Sequence, residues 1–391
     1  MHPFISKKIV FPVLQLASSK RSFMKKILLF ATLSALINSC PSQSLTTYSK
    51  FDFIPGEKII IFEDFTQDAI GDFPAKWNTN SSGEIVTADG ETGHWLMISK
   101  KGKYTPEYIT NLPENFTLQF DLLSSEQFNY NSSPLQVIFT TVYGKDVLKE
   151  SYMIEKKWSA VSIGLLPTNP SLNGASISFQ SFQDSEEKDK NEFSTARFNS
   201  NPSKAKVKVS VWRQKQRLRV YLDEEKIIDV PRAFEEGKPY KTVMFETWMD
   251  MFNDKDRYLL SNIKLAIGSP DTRNKLINEG KFVTRGILFD VNNDKVKAES
   301  YGALKDIAGV LLENPSVKVM IVGHTDSDGS DADNLALSKR RAEAVKTVLM
   351  KDFKVDASRM TTDGKGESQP VDKNDSPEGK ANNRRVEFIR Q

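Results

Sequence analysis

GHTDSDGSDADNLALSKRRAEAV, residues 323–345, changes character part-way through: it opens as polar, glycine-bearing loop text and closes as helix text. An apolar run, VKVMIV (317–322), precedes it and reads as a strand. Across 335–353, Leu337, Arg341, Val345 and Val348 recur at helical spacing. The reading is strand, polar loop, helix. It puts Asp326 on the loop leaving the strand and Arg341 two turns into the helix, where the two can converge on one pocket. Asp326, Asp328, Asp331 and Asp333 imitate a calcium loop, but that loop needs glycine at its sixth place and glutamate at its twelfth. Here Gly329 is fourth from Asp326 and Leu337 stands twelfth, so no metal is assigned.

Working outward, GILFDV (286–291) reads as a strand, and 295–313 as a helix with Tyr301, Leu304, Ile307, Ala308, Leu311 and Leu312 on one face, stopping before Pro315. VEFIR (386–390) closes the chain as a strand. Residues 270–391 therefore read as an α+β module with helices packed on one face of a small mixed sheet.

The order GHTD (323–326), N-x-x-LS-x-x-RA (334–342), GKGESQPV (364–371) and NNRRVEFI (382–389) resembles the OmpA-like, or OmpA/MotB/Pal, peptidoglycan-binding domain. That resemblance implies noncovalent capture of the diaminopimelate of wall stem peptides. It implies that Asp326 of GHTD, beside Thr325, holds the ligand ammonium and that Arg341 holds its carboxylate. The chemistry agrees: a zwitterionic end needs one anion and one cation in fixed relation, and a guanidinium grips a carboxylate with a planar two-bond fork. The extra acidity of the loop would raise the local pull on the ammonium. Phe289 and Asp290 match the family's strand-end pair and are expected to form the other wall of the pocket. Asn334, Leu337 and Ser338 match the N-x-x-LS element, with Asn334 a helix cap or loop clamp and a ligand contact open to it. Arg384 and Arg385 match NRRV, as ligand contacts or as structural partners of a loop carboxylate. His324 is expected to order its loop.

Upstream, 51–269 alternates with period two. LQFDLL (118–123), PLQVIFTTVYG (134–144) and VKVSVWRQKQRLRVYLDEEKIIDVP (207–231) are strand text, Val207, Val209 and Val211 alternating with polar residues before a polar turn and Leu218, Val220 and Leu222. Such text predicts one all-β sandwich. FEDFTQDAIGDFPAKWNT (62–79) and VYLDEEKIIDVP (220–231) resemble jelly rolls of the concanavalin-like, laminin-G class. Glycanases on that fold carry two glutamates around an aspartate, a retaining pair. FETWMDMF (245–252) has Glu246 and Asp250 but no second glutamate, so no enzyme is expected. Trp77, Trp95 and Trp248 are the candidates for stacking on a sugar, with core packing the plainer alternative. SFQDSEEKDKNEFSTARFNSNPSKA (181–205) reads as a solvated loop.

Residues 1–39 hold six basic residues and no acidic one, and MKKILLFATLSALINSC (24–40) has the charged, apolar, small-residue order of an export signal, its apolar run too short to span a bilayer. Met24 is the expected true start. Ile37-Asn38-Ser39-Cys40 resembles a bacterial lipobox, with Asn38 departing from the usual small or apolar residue. The resemblance implies a diacylglyceryl thioether on Cys40, cleavage before it, and acylation of the new amine by a chain such as palmitate. Several acyl chains hold a protein to a membrane where one would not. Residues 40–50 form the lipidated tether.

The composition is consistent with this. Cys40 is the only cysteine, which excludes internal disulfides and cysteine-rich zinc sites, and the three histidines stand far apart at 2, 94 and 324. No cofactor is assigned. A formal charge of +3 over 391 residues argues against a nucleic-acid partner, and loss of the six basic residues of 1–39 turns it to −3. The expected protein is a non-enzymatic lipoprotein of the cell outer membrane, facing the periplasm and tethering that membrane to peptidoglycan. The alternative is a lectin-like receptor whose sandwich binds carbohydrate, or another envelope protein, and whose carboxy-terminal module only anchors it.

Overall fold

Val207, Val209 and Val211, alternating as the sequence suggested, all turn into one core, as do Phe116, Leu118, Phe120 and Leu122 of the neighbouring strand. The computed structural model describes residues 51–126, 128–129, 131–149, 157–168, 174–200, 205–248, 255–268 and 271–391. The export segment 1–39, Cys40, the tether 40–50 and Asp250 lie outside the described residues.

Fifteen strands build the first body. They run β1 (Lys58–Glu63), β2 (Trp77–Thr79), β3 (Gly83–Val86), β4 (Trp95–Ile98), β5 (Gly102–Pro106), β6 (Asn115–Ser124), β7 (Leu135–Thr140) and β8 (Ala160–Leu166). They continue as β9 (Ala175–Gln183), β10 (Glu186–Thr195), β11 (Lys206–Gln214), β12 (Arg217–Leu222), β13 (Glu225–Val230), β14 (Thr242–Thr247) and β15 (Tyr258–Ile267). One antiparallel sheet is ordered β13-β12-β11-β6-β15-β4-β3, with β1 also on β15; the other is β10-β9-β8-β7-β14-β5-β2. Side chains from both sheets meet in a single apolar core.

The stretch 181–205, read as a solvated loop, is in its described part a hairpin. β9 turns through Asp184 and Ser185, both at positive φ, into β10, whose residues are almost all exposed. β10 is an edge strand with solvent on both faces, so apolar alternation is missing, and its run of Glu, Asp and Lys discourages pairing with another chain.

The second body is a four-stranded sheet, ordered β16-β19-β17-β18, built from β16 (Lys281–Thr284), β17 (Val319–Gly323), β18 (Met360–Gly364) and β19 (Val386–Arg390). β17 and β18 are parallel and the other pairs antiparallel. Helices α1 (Tyr301–Glu313), α2 (Asp331–Lys351) and α3 (Pro377–Asn383) accompany it. GILFDV (286–291) is not the strand; KFVT, just before it, is. GILFDV is apolar because Ile287 is buried and Gly286 abuts Pro55 and Ala303, while Phe289 makes only an isolated bridge to Val296. The helix expected from 295 begins at Tyr301, after a 3-10 turn at Ala298–Ser300, and Leu312 is exposed. Ser330 caps α2 by accepting from Asp333 N at 3.2 Å.

The two bodies join closely. The Asn382 side chain pairs reciprocally with the backbone of Ile59, accepting from its N at 3.1 Å and donating to its O at 2.9 Å. A Cβ on Gly302 would meet Phe53 O at 2.2 Å, so α1 rests directly on the segment leading into β1. Among the described residues no helix is long and apolar enough to cross a membrane.

Candidate functional site

Gly323 ends β17 against α2: a Cβ there would meet Ser338 O at 2.3 Å. That close approach sets Arg341, three residues further along the helix, beside the loop that leaves the strand. The loop is held by its backbone, His324 N donating to Arg385 O at 3.0 Å and Thr325 N to Gly366 O at 3.0 Å. Asn334 is a loop clamp and not the cap. Its buried amide donates to Asp326 O at 3.3 Å, to Asp328 O at 3.1 Å and to Glu367.

So positioned, the Asp326 side chain is only 10% exposed. One oxygen accepts from Asp328 N at 3.3 Å and the other pairs with Arg384. Arg341 stacks its guanidinium 4.9 Å from the Phe289 ring centre. It donates from Nε to Asn293 O at 3.0 Å and from Nη2 to Asp290 O at 3.2 Å. Desolvation draws Arg341 below its ordinary range; nearby Asp326 opposes this and Arg384 adds to it. Thr325 Oγ1 is buried without a hydrogen-bond partner among the described residues.

Asp326, Thr325, Arg341, Phe289 and the main chain of Asp290 thus come together. The Asp290 carboxylate turns away to Lys297, 3.1 Å distant, and Leu337 is buried. Arg385 and Arg384, adjacent in the NRRV element, pair with different carboxylates. Arg385 is buried and donates from Nε to Glu387 Oε1 at 2.9 Å, with Nη2 in ion-pair contact with the same oxygen at 2.8 Å and donating to Gln369 O at 3.0 Å, while Arg384 reaches Asp326. Lys281 pairs with Glu387 at 2.7 Å, and His324 Nε2 stands 3.5 Å away, short of a formed hydrogen bond. Burial alone would raise the Glu387 carboxyl, but His324, Lys281 and Arg385 outweigh it and hold it well below the usual carboxylate range. Asp328 of the acidic loop pairs with Lys380, and Asp333 with Ser330. Among the described residues no three or more His, Cys, Asp or Glu converge as a metal site would require.

Sequence reasoning missed Glu387, hidden inside an apolar strand, the carbonyl of Asn293, and Lys264 of β15. Lys264, Arg341, Arg384, His324 and Phe289 all line one cavity of about 100 Å³ where the two bodies meet.

A second, larger hollow of about 730 Å³ lies on the outer face of the seven-stranded sheet, over Gln136, Ser162, Gly164 and Gln180 with Trp158 and Trp248. Of the three tryptophans considered for sugar stacking, Trp77 and Trp95 are buried and Trp248 is half exposed.

Residues 288–384, which include Phe289, Asp326, Arg341 and Arg384, match the OmpA family. The carboxy-terminal body is an OmpA domain. The match covers the carboxy-terminal quarter of the chain. Outer membrane porin F of Pseudomonas aeruginosa is 46% identical over 101 residues, 26% of this chain and 29% of that protein. The probable lipoprotein YiaD of Escherichia coli K12 is 37% identical over 127 residues, 30% of this chain and 58% of that protein. The chain therefore spans less than two thirds of the length of either relative. A solved peptidoglycan-associated lipoprotein from Burkholderia pseudomallei aligns at 27% identity over 31% of this chain and 98% of its own, with a TM-score of 0.27. All three alignments cover under a third of this chain.

Proposed function

We propose that this chain is a non-enzymatic lipoprotein that holds the outer membrane to the cell wall, its OmpA domain clamping diaminopimelate of peptidoglycan stem peptides without covalent chemistry. The supporting observation is the pairing of Asp326, almost buried on its loop, with a cavity wall formed by Arg341 and Arg384. Asp326 receives the ligand ammonium beside Arg384, and Arg341 receives the carboxylate through the face of its fork left by the carbonyls of Asp290 and Asn293. Relatives named as outer-membrane proteins, as a probable lipoprotein and as a peptidoglycan-associated lipoprotein fit this reading. Cys40 carries the lipid, and the two-sheet body, a jelly roll of the concanavalin-like class, is the spacer between them. Two modest anchors on one chain gain avidity because the second engagement is intramolecular.

Competition is the direct test. Free meso-diaminopimelate should displace the chain from purified wall sacculi, and displacement by N-acetylglucosamine oligomers alone would instead support a sugar receptor at the Trp248 hollow. The mass of the membrane-extracted protein should be that of residues 40–391 plus a diacylglyceryl group and one further acyl chain; an unmodified cysteine would remove the anchor.

A further inference from the structure

We propose that Lys264, carried to the clamp by β15 of the two-sheet body, is a second cation for the ligand's carboxylate, so that the peptidoglycan site is built by both bodies and the first is more than a spacer. This rests on the clamp reading above and deepens it.

Lys264 is placed by a bulge. Tyr258 and Leu260 point into the sandwich core, the register shifts between Ser261 and Lys264 with Asn262 at φ 52°, and Ile263 and Leu265 then take the inward places. Without the extra residue Lys264 would face the core; with it, the side chain turns out towards the OmpA domain. There it lines the cavity with Ile59 of its own body and with Phe289, His324, Arg341 and Arg384 of the other.

The charges around that cavity do not balance. Arg384 has Asp326 and Arg385 has Glu387, but Arg341 is met by the carbonyls of Asp290 and Asn293, and Arg285 by those of Asn382 and Glu57. Among the described residues the Lys264 side chain makes no ion pair or hydrogen bond; its ammonium stands 5.3 Å from the Phe62 ring centre. The residue is half-buried, and desolvation, with repulsion from Lys208 and Arg384, pushes it down to about 8 against the weaker pull of Asp121. Burial likewise draws Arg285 down to about 10. An enclosed cation without a counter-ion costs stability, and an arriving anion removes that cost. The cavity, about 100 Å³, has room for roughly three waters, the size of a carboxylate and the carbon that bears it. On an amino-acid end that carboxylate is one carbon from the ammonium on Asp326, so it falls among Arg341, Arg384 and Lys264.

The test is calorimetric titration of the full chain with the tripeptide L-Ala-γ-D-Glu-meso-diaminopimelate and with the same tripeptide amidated at the diaminopimelate carboxyl that neighbours the free amine. The parent should prefer the free acid. Lys264→Met and Lys264→Gln should weaken free-acid binding about tenfold, leave the amide unchanged and melt no lower than the parent, while Lys264→Arg keeps the preference. If Lys264→Met and Lys264→Gln bind both tripeptides as the parent does while Arg341→Ala loses them, Lys264 has no part and the clamp stands. If the parent binds neither tripeptide, the clamp reading falls and this inference with it.

Discussion

Replacing Glu387 by glutamine keeps the shape of the side chain and removes the one anion from a buried cluster of cations. Glu387 is 3% exposed and Arg385 5%, and the two contacts between them leave the guanidinium no other carboxylate. Removing one partner of a buried ion pair costs about 3–5 kcal/mol, because the survivor stays buried and uncompensated. The location of the reporters makes the loss readable. All five tryptophans lie in the two-sheet body and, among the described residues, the three α-helices lie in the OmpA domain, so ellipticity at 222 nm reports on one body and tryptophan emission on the other. Urea unfolding of Glu387→Gln should shift the ellipticity transition by about 3–5 kcal/mol and leave the first part of the emission transition in place. The same carboxylate sets an acid limit. Its folded pKa is depressed, so its contribution is complete above the unfolded value, about 4.3, and is lost as pH falls from there through the lower folded value. The parent's OmpA domain should therefore weaken in acid more steeply than the variant's. A loss below about 1 kcal/mol with unchanged acid sensitivity would refute the idea that this ion pair holds the domain together.

Other outcomes follow from the same contacts. Gly302→Ala drives a methyl into Phe53 O, and should cost about 1–3 kcal/mol and separate the ellipticity and emission transitions as the joint loosens. Lys264 binds fewer protons folded than unfolded between its folded value of about 8 and the ordinary lysine value of about 10.4, so stability should rise with pH across that window, and the rise should be absent from Lys264→Met. At pH 7 that variant should gain about 1–3 kcal/mol, discounted for the partial exposure of the side chain. Trp248→Phe should remove most of the acrylamide-quenchable emission, since Trp77, Trp95, Trp158 and Trp212 are buried.

The sequence revealed what periodicity can carry. β11 and β12 turn one face to the sandwich core and α2 turns one face to its own, and their apolar spacing shows it. β10 faces solvent twice and reads as loop. GILFDV, in which Ile287 is buried in the core of the OmpA domain while Val291 is exposed, was more strand-like on paper than KFVT, the edge strand that pairs with β19. β18, with Met360 its one buried apolar side chain, left no pattern to find, and α3 is only seven residues long. Of the clamp, Asp326, Thr325, Arg341 and Phe289 could be named from motif and spacing because one strand-loop-helix unit and the turn beside it hold them. The division of labour between Arg384 and Arg385 depends on where Glu387 points. The approach of Lys264 depends on a bulge in a strand of the other body, and neither leaves a trace in local sequence.

The central claim is that Asp326 and Arg341 are the two poles of a wall-binding clamp, and co-sedimentation of the full chain with purified sacculi tests it most directly. The parent should pellet with the wall, while Asp326→Ala and Arg341→Ala, folded by ellipticity, should stay in the supernatant. Variants that pellet as completely as the parent would contradict it.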